Sequence, residues 1–127
     1  MKLLLDTHIF IWWANEPERL SQTFLSALTD ESNTLFLSIV SAWEMQVKMQ
    51  LGKLKLNLPL QELIQSQQEA NALQLLPIEL EHVLALSTLP SHHKDPFDRL
   101  LIAQAIVEEA MIVSADSKLS AYSVKLL

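Results

Sequence analysis

Apolar positions fall in short blocks between polar turns along the chain, and the blocks alternate between two kinds of pattern. Leu3-Leu4-Leu5, bounded by Lys2 and Asp6, is too short for a helix core and fits a strand buried on both faces. His8 to Ala14 (HIFIWWA) is apolar on every side and predicts a short helix ended by Asn15 and Pro17. Leu20 to Thr29 predicts an amphipathic helix, and Asp30 to Asn33 a polar turn. Thr34 to Val40 (TLFLSIV) has strand composition. Ser41 then opens a helix to about Leu51, with Ser41 and Glu44 matching a capping box and Gly52, the only glycine, stopping it. Leu58 to Ala70 predicts a helix, Leu73 to Ile78 a third strand and Glu79 to Thr88 another helix, followed by a polar linker over Leu89 to Pro96. Phe97 to Ala110 predicts a helix that feeds a strand at Met111 to Ala115. A short helix over 117–121 and a last strand over 123–127 complete the pattern.

Strand and helix in alternation predict an α/β domain with a mainly parallel central sheet of four to five strands and helices on both faces. At 127 residues the chain is expected to form one domain over 1–127. Half its residues are apolar, more than a core of this size readily hides, so surplus apolar surface is expected to meet a partner. The all-apolar helix near the start is the expected place, with Phe10, Trp12 and Trp13 as interface anchors or, alternatively, plain core.

The absence of Cys excludes disulfides, a thiolate nucleophile and Cys-bound zinc. The leading apolar run breaks at Asp6, which argues against a secretory signal, and no stretch approaches the roughly 20 apolar residues of a membrane span. A cytoplasmic protein with no membrane partner is expected. One glycine leaves no Gly-rich phosphate loop, and no nucleophile elbow is present. His82 reads as a helix-surface residue, His92-His93 as solvated linker, and His8 as core or cap.

The remaining chemistry lies in acids. Asp6, Glu44 and Asp116 each follow a predicted strand, so a parallel sheet sets them on one edge, where ligands of such sheets bind. The helix opened by Asp95-Pro96-Phe97-Asp98 must start on that edge too. Each acid also has a local use: Asp6 and Asp95 as N-caps, Asp98 in a first helical turn, Glu44 in a capping box or paired with Lys48. Taken together they need a cation. Two carboxylates about 8 Å apart at an effective dielectric near 20 repel by roughly 2 kcal/mol, which for four acids reaches on the order of 12 kcal/mol. An oxygen-only donor set suits Mg²⁺ or Mn²⁺. The formal charge of -6 argues against a phosphate-rich partner, but without Asp6, Glu44, Asp95, Asp98 and Asp116 it becomes -1.

LLLDTHIFIWW, SIVSAWEMQVKMQLGKLKL, HHKDPFDRLLIAQA and VSADSKL resemble, in order and over nearly the whole chain, the motif blocks of PIN-domain nucleases, and among them the VapC-like toxins of toxin-antitoxin pairs. The resemblance implies a three-layer α/β/α fold and a metal-dependent endoribonuclease leaving a 5′ phosphate and a free 3′ hydroxyl. It puts the catalytic, metal-holding acids at Asp6, Glu44, Asp98 and Asp116, with Asp95 as a supporting acid or a cap; separately from the resemblance, Thr7 and Ser114, beside two of the acids, are placed to orient them or the water. It also implies RNA as substrate, a homodimer, and a small antitoxin protein lying over the acidic pocket.

Two other readings stay open. A receiver or phosphatase-type phosphoryl-transfer domain also carries Asp at strand ends with Mg²⁺, although His8 stands where the phosphatase pattern has its second acid. A non-catalytic binding module would use the helix at Ile9 to Ala14 and leave the acids as caps.

Overall fold

Every other element is arranged around β1 (Lys2–Leu5), one of the two inner strands of a four-stranded parallel sheet in the order β3-β2-β1-β4. The computed structural model describes residues 1–90, 95–116, 119 and 126–127. Leu3 pairs in register with Leu35 of β2 (Thr34–Ser38) and Met111 of β4 (Met111–Val113), while β3 (Gln74–Leu76) pairs with β2. The leucines of β1 are fully buried because successive side chains point to opposite faces and both faces are covered. Leu3 and Leu5 pack with Ile9, Phe10, Leu37, Met45 and Leu63. Leu4 packs on the other side with Leu101, Ile102, Ala105 and Ile112. The two clusters make this a three-layer α/β/α domain.

The first cluster is built from α1 (Thr7–Asn15), α2 (Gln22–Thr29), α3 (Ile39–Gln50) and α4 (Leu60–Asn71). The second rests on α6 (Pro96–Glu108), against which α5 (Leu80–Ala85) packs. Among the described residues no helix is long and apolar enough to cross a membrane.

Several expectations are corrected. The capping box at Ser41 does not form: α3 starts earlier, and its cap is Ser38, whose Oγ accepts the Val40 N–H at 2.9 Å. Ser41 is instead buried inside the helix. Phe10 is 0% exposed and belongs to the core, so it cannot anchor a surface partner, while Trp12 and Trp13 are half-buried against the same cluster. The surplus apolar surface lies elsewhere, on Trp43 of α3 and on Leu80, Val83 and Leu84 of α5.

His82 is also not a surface residue. At 0% exposure, its Nδ1 accepts the Glu79 N–H at 2.9 Å and its Nε2 donates to Glu108 Oε2 at 2.8 Å. Gln104, buried beside it, donates to Pro77 O at 3.1 Å and accepts from the Ser38 hydroxyl. This polar bridge ties α5, α6 and the start of α3 together.

Gly52 does stop α3, as expected. Its φ of 71° is left-handed, its N–H bonds Met49 O at 3.1 Å, and the Lys53 N–H bonds Lys48 O at 2.8 Å. The helix expected over 117–121 and most of the strand over 123–127 fall outside the described residues, as do His92, His93 and Lys94. Leu126, which is described, forms a parallel bridge with Ile112.

Candidate active site

Parallel strands deliver their carboxyl ends to one edge of the sheet, and β1 ends there in Asp6. The Asp6 backbone is held on both sides: its N–H bonds Val113 O and its carbonyl accepts the Phe10 N–H, each at 3.0 Å. Its side chain makes no full cap bond to α1, only a weaker interaction with the His8 N–H, so its main partner lies elsewhere. Instead Oδ2 accepts the Ser114 hydroxyl at 2.7 Å, and the same Ser114 oxygen accepts the Asp116 N–H at 3.0 Å. One hydroxyl therefore links the acid after β1 to the backbone of the acid after β4. Asp6, Asp116, His8, Trp12 and Ala115 line a cavity of 270 Å³.

Asp6 is 7% exposed, and burial pushes its carboxyl above the usual aspartate range. The Ser114 bond and the nearby His8 pull it partly back, while the charge of Glu44 adds to the rise. A carboxylate so placed is stabilised by any cation that enters the cavity.

Glu44 is 3% exposed on α3 and has both oxygens engaged. Oε1 accepts the Thr7 hydroxyl at 2.8 Å, and Oε2 accepts Lys48 Nζ at 2.5 Å, one helical turn on. The Thr7 and Ser41 hydroxyl oxygens stand 2.9 Å apart. Thr7 has a single hydroxyl proton, which goes to the carboxylate, an acceptor only, so Ser41 donates to Thr7.

Asp95 caps α6, its Oδ1 accepting the N–H groups of Phe97 at 2.9 Å and Asp98 at 3.4 Å, with Pro96 at the first helical position. Asp98, half-buried in the first turn, lies with Asp95 and Glu44 within electrostatic reach of Lys48. Partial burial works to lower the Lys48 ammonium, but the bond to Glu44 and the three negative charges outweigh it and raise it above the ordinary lysine range.

The acids thus gather at one edge in two pairings, Asp6 with Asp116 and Glu44 with Lys48, with Asp98 beside the second. They do not form a single closed cage: among the described residues no three His, Asp or Glu side chains stand together closely enough to hold an ion alone. The donors at this edge are all oxygens, the set that hard divalent cations take.

The sequence profile of the PIN domain matches residues 3–125. The chain belongs to the PIN-domain family. This PIN domain is 29% identical over 121 residues, 94% of its length and 91% of the relative's, to Ribonuclease VapC22 of Mycobacterium tuberculosis. Its fold is similar to that in VapBC2 from Rickettsia felis bound to a promoter DNA fragment, with a TM-score of 0.77 at 19% identity over 100% of this chain and 98% of that one. DNA-bound VapBC from Salmonella typhimurium is similar as well, with a TM-score of 0.68 at 11% identity over 100% and 97%. Ribonucleases of the PIN family in general depend on a divalent metal ion, in keeping with the all-oxygen donor set here.

Lys48, read from the sequence as a partner of Glu44, also faces Asp95 and Asp98. Two residues escaped the sequence reading in the roles they take, Ser41 behind Thr7 and Gln104 beneath Ser38. Only Gln104 left a signal, as the one polar residue inside LLIAQAIV.

Proposed function

We propose that this PIN-domain protein is the toxin of a toxin-antitoxin pair, an endoribonuclease that hydrolyses RNA phosphodiester bonds with Mg²⁺ or Mn²⁺. The observation that carries the reading is the pairing of buried Asp6 with Asp116 on one cavity, at the sheet edge where α/β enzymes bind ligands. Membership of the family and the ribonuclease named among its relatives support the chemistry. The toxin-antitoxin complexes among its structural neighbours support a small antitoxin as protein partner, and the proposal places the pair in the cytoplasm.

In this proposal Asp6 and Asp116 would hold the ion directly, and Asp98, at the start of α6, would face it through water. The bound ion supplies positive charge at the phosphate and an activated water. Ser114 fixes one oxygen of Asp6, which leaves the other to face the cation. Glu44, held by Thr7 and Lys48, would orient the attacking water. Lys48 offsets the mutual repulsion of Glu44, Asp95 and Asp98. Two copies are proposed to pair through the exposed apolar side chains of α5, and sedimentation of Leu84→Asp as a monomer would test that.

The deciding experiment compares cleavage of a structured RNA by wild type and by Asp6→Asn, Asp98→Asn and Asp116→Asn, each with Mg²⁺, Mn²⁺ or EDTA. Metal-dependent cutting by wild type alone is the expected result, with losses of about 10³-fold in the variants. Equal cutting in all samples would overturn the assignment.

A further inference from the structure

A second cavity, of 440 Å³, opens beside the acidic one and shares His8 and Trp12 with it as a common wall. The two side chains lie one turn apart on α1, with ring centroids 6.3 Å apart and planes tilted by 52°. Beyond this ridge the lining changes sign. Arg19, Lys48, Lys53 and Lys55 all line the larger cavity, against a single acid, Glu16. The whole chain has only 9 Lys and Arg against 15 Asp and Glu, so this concentration reverses the overall balance at one place.

Local structure explains how it arises. The left-handed turn at Gly52 sends Lys53 to Leu56 back past α1, and Asn15 Oδ1 pins the segment by accepting the Asn57 N–H at 3.1 Å. Leu54 and Leu56 are partly buried against the core and Lys53 and Lys55 are exposed, with Lys53, Leu54 and Lys55 together lining the cavity. Among the described residues neither lysine is in an ion pair. Arg19 is held in place, bonded to Glu16 Oε2 at 3.3 Å and lying 4.5 Å over the Trp12 ring. Exposed lysines beside aromatic and guanidinium planes, next to a cavity that takes a phosphodiester, match what an unpaired nucleotide offers: charge on the phosphate and a flat base.

Resting on the ribonuclease reading above, we infer that the Lys53–Lys55–Arg19 cavity binds the single-stranded RNA segment next to the scissile phosphodiester, with the His8–Trp12 ridge between that segment and the acids. The cavity lies in the usual size range of small-molecule sites, about 300 to 1,000 Å³, which admits a splayed nucleotide and no duplex. The enzyme then requires unpaired residues beside its cut.

The test uses binding, which separates this inference from cleavage. A labelled single-stranded RNA octamer is titrated by fluorescence anisotropy, in EDTA, with wild type, Lys53→Gln/Lys55→Gln and, as a control that removes a lysine at the far end of β1, Lys2→Gln. The double variant is expected to bind about tenfold more weakly, with a slope of log K against log salt shallower by about 1.4, which is about 0.7 for each single-strand phosphate that is no longer neutralised. Lys2→Gln is expected to match wild type, and the same RNA annealed to its complement to bind at least about tenfold more weakly than the single strand. An unchanged Kd and salt slope in a folded double variant would overturn the inference, even if metal-dependent cleavage persists. So would a double variant that keeps RNA binding and loses only binding of an acidic peptide. Wild type that neither binds nor cuts RNA would instead remove the reading on which it rests.

Discussion

Thr7 and Glu44 are 37 positions apart in sequence, yet the Thr7 hydroxyl donates to Glu44 Oε1 at 2.8 Å in a buried setting. The bond joins the first turn of α1 to the inner face of α3, and with Ser41 behind it forms a chain of hydroxyls ending on a carboxylate. Thr7→Val keeps the shape and deletes the donor. It should cost about 1–3 kcal/mol in urea denaturation, because a buried acceptor loses its partner, and lower kcat for RNA cleavage by about tenfold. Thr7→Ser should restore most of both.

Asp6 is destabilising because of where it sits. Its pKa is higher in the folded chain than in the unfolded one, so between those two values the native state binds more protons and stability falls as pH rises. Asp6→Asn removes that penalty while still accepting from Ser114. At pH 7.5 without metal it should melt about 4 °C above wild type, and the gap should close below about pH 4, where the wild-type acid is protonated in both states. Scanning calorimetry across pH checks this.

Mg²⁺ should act in the opposite sense. At about 100 times its dissociation constant it should stabilise wild type by roughly 2.7 kcal/mol and leave Asp6→Asn nearly unmoved. Equal shifts in both proteins would count against Asp6 as a ligand.

The His82 bridge carries stability with no role in the proposed chemistry. His82→Leu strands the Glu79 N–H and a Glu108 oxygen at once, and should cost about 2–4 kcal/mol, read as a lower urea midpoint at unchanged m-value. Metal-dependent cleavage below the melting range should survive.

Two helices end on left-handed residues that are not glycine, Ala72 after α4 and Glu109 after α6, with φ of 54° and 55°. A side chain is strained there, whereas glycine is not. Glu109→Gly should therefore stabilise the protein by about 0.5–1 kcal/mol, and Glu109→Val should destabilise it, in the same denaturation assay.

Asp6 could be read from the sequence because a three-leucine strand leaves no choice about where it stops, and Gly52 because a lone glycine after an amphipathic run marks a helix end. The parallel order followed from strands separated by helices. Periodicity, however, says which residues share a face and not which element covers that face. His82 looked exposed because its partner Glu108 comes 26 positions later on another helix, and Phe10 looked available because α1 is apolar on all sides. Ser38 and Ser41 compete as caps within one strand-to-helix junction, and only the backbone geometry decides between them. The basic cavity was hidden for a similar reason: Arg19 and Lys55 are distant in sequence and meet only once Gly52 has turned the chain.

Asp6 stands directly beyond β1 and Ser114 directly beyond its paired neighbour β4, so the gap that the Ser114 hydroxyl bridges is gauged by the spacing of the sheet, about 4.8 Å between neighbours, and not by flexible loops. Exchanging Asp6 for glutamate keeps the charge but adds a methylene that this fixed ruler does not accommodate. A substitution usually counted as mild would then jam the mouth of the pocket.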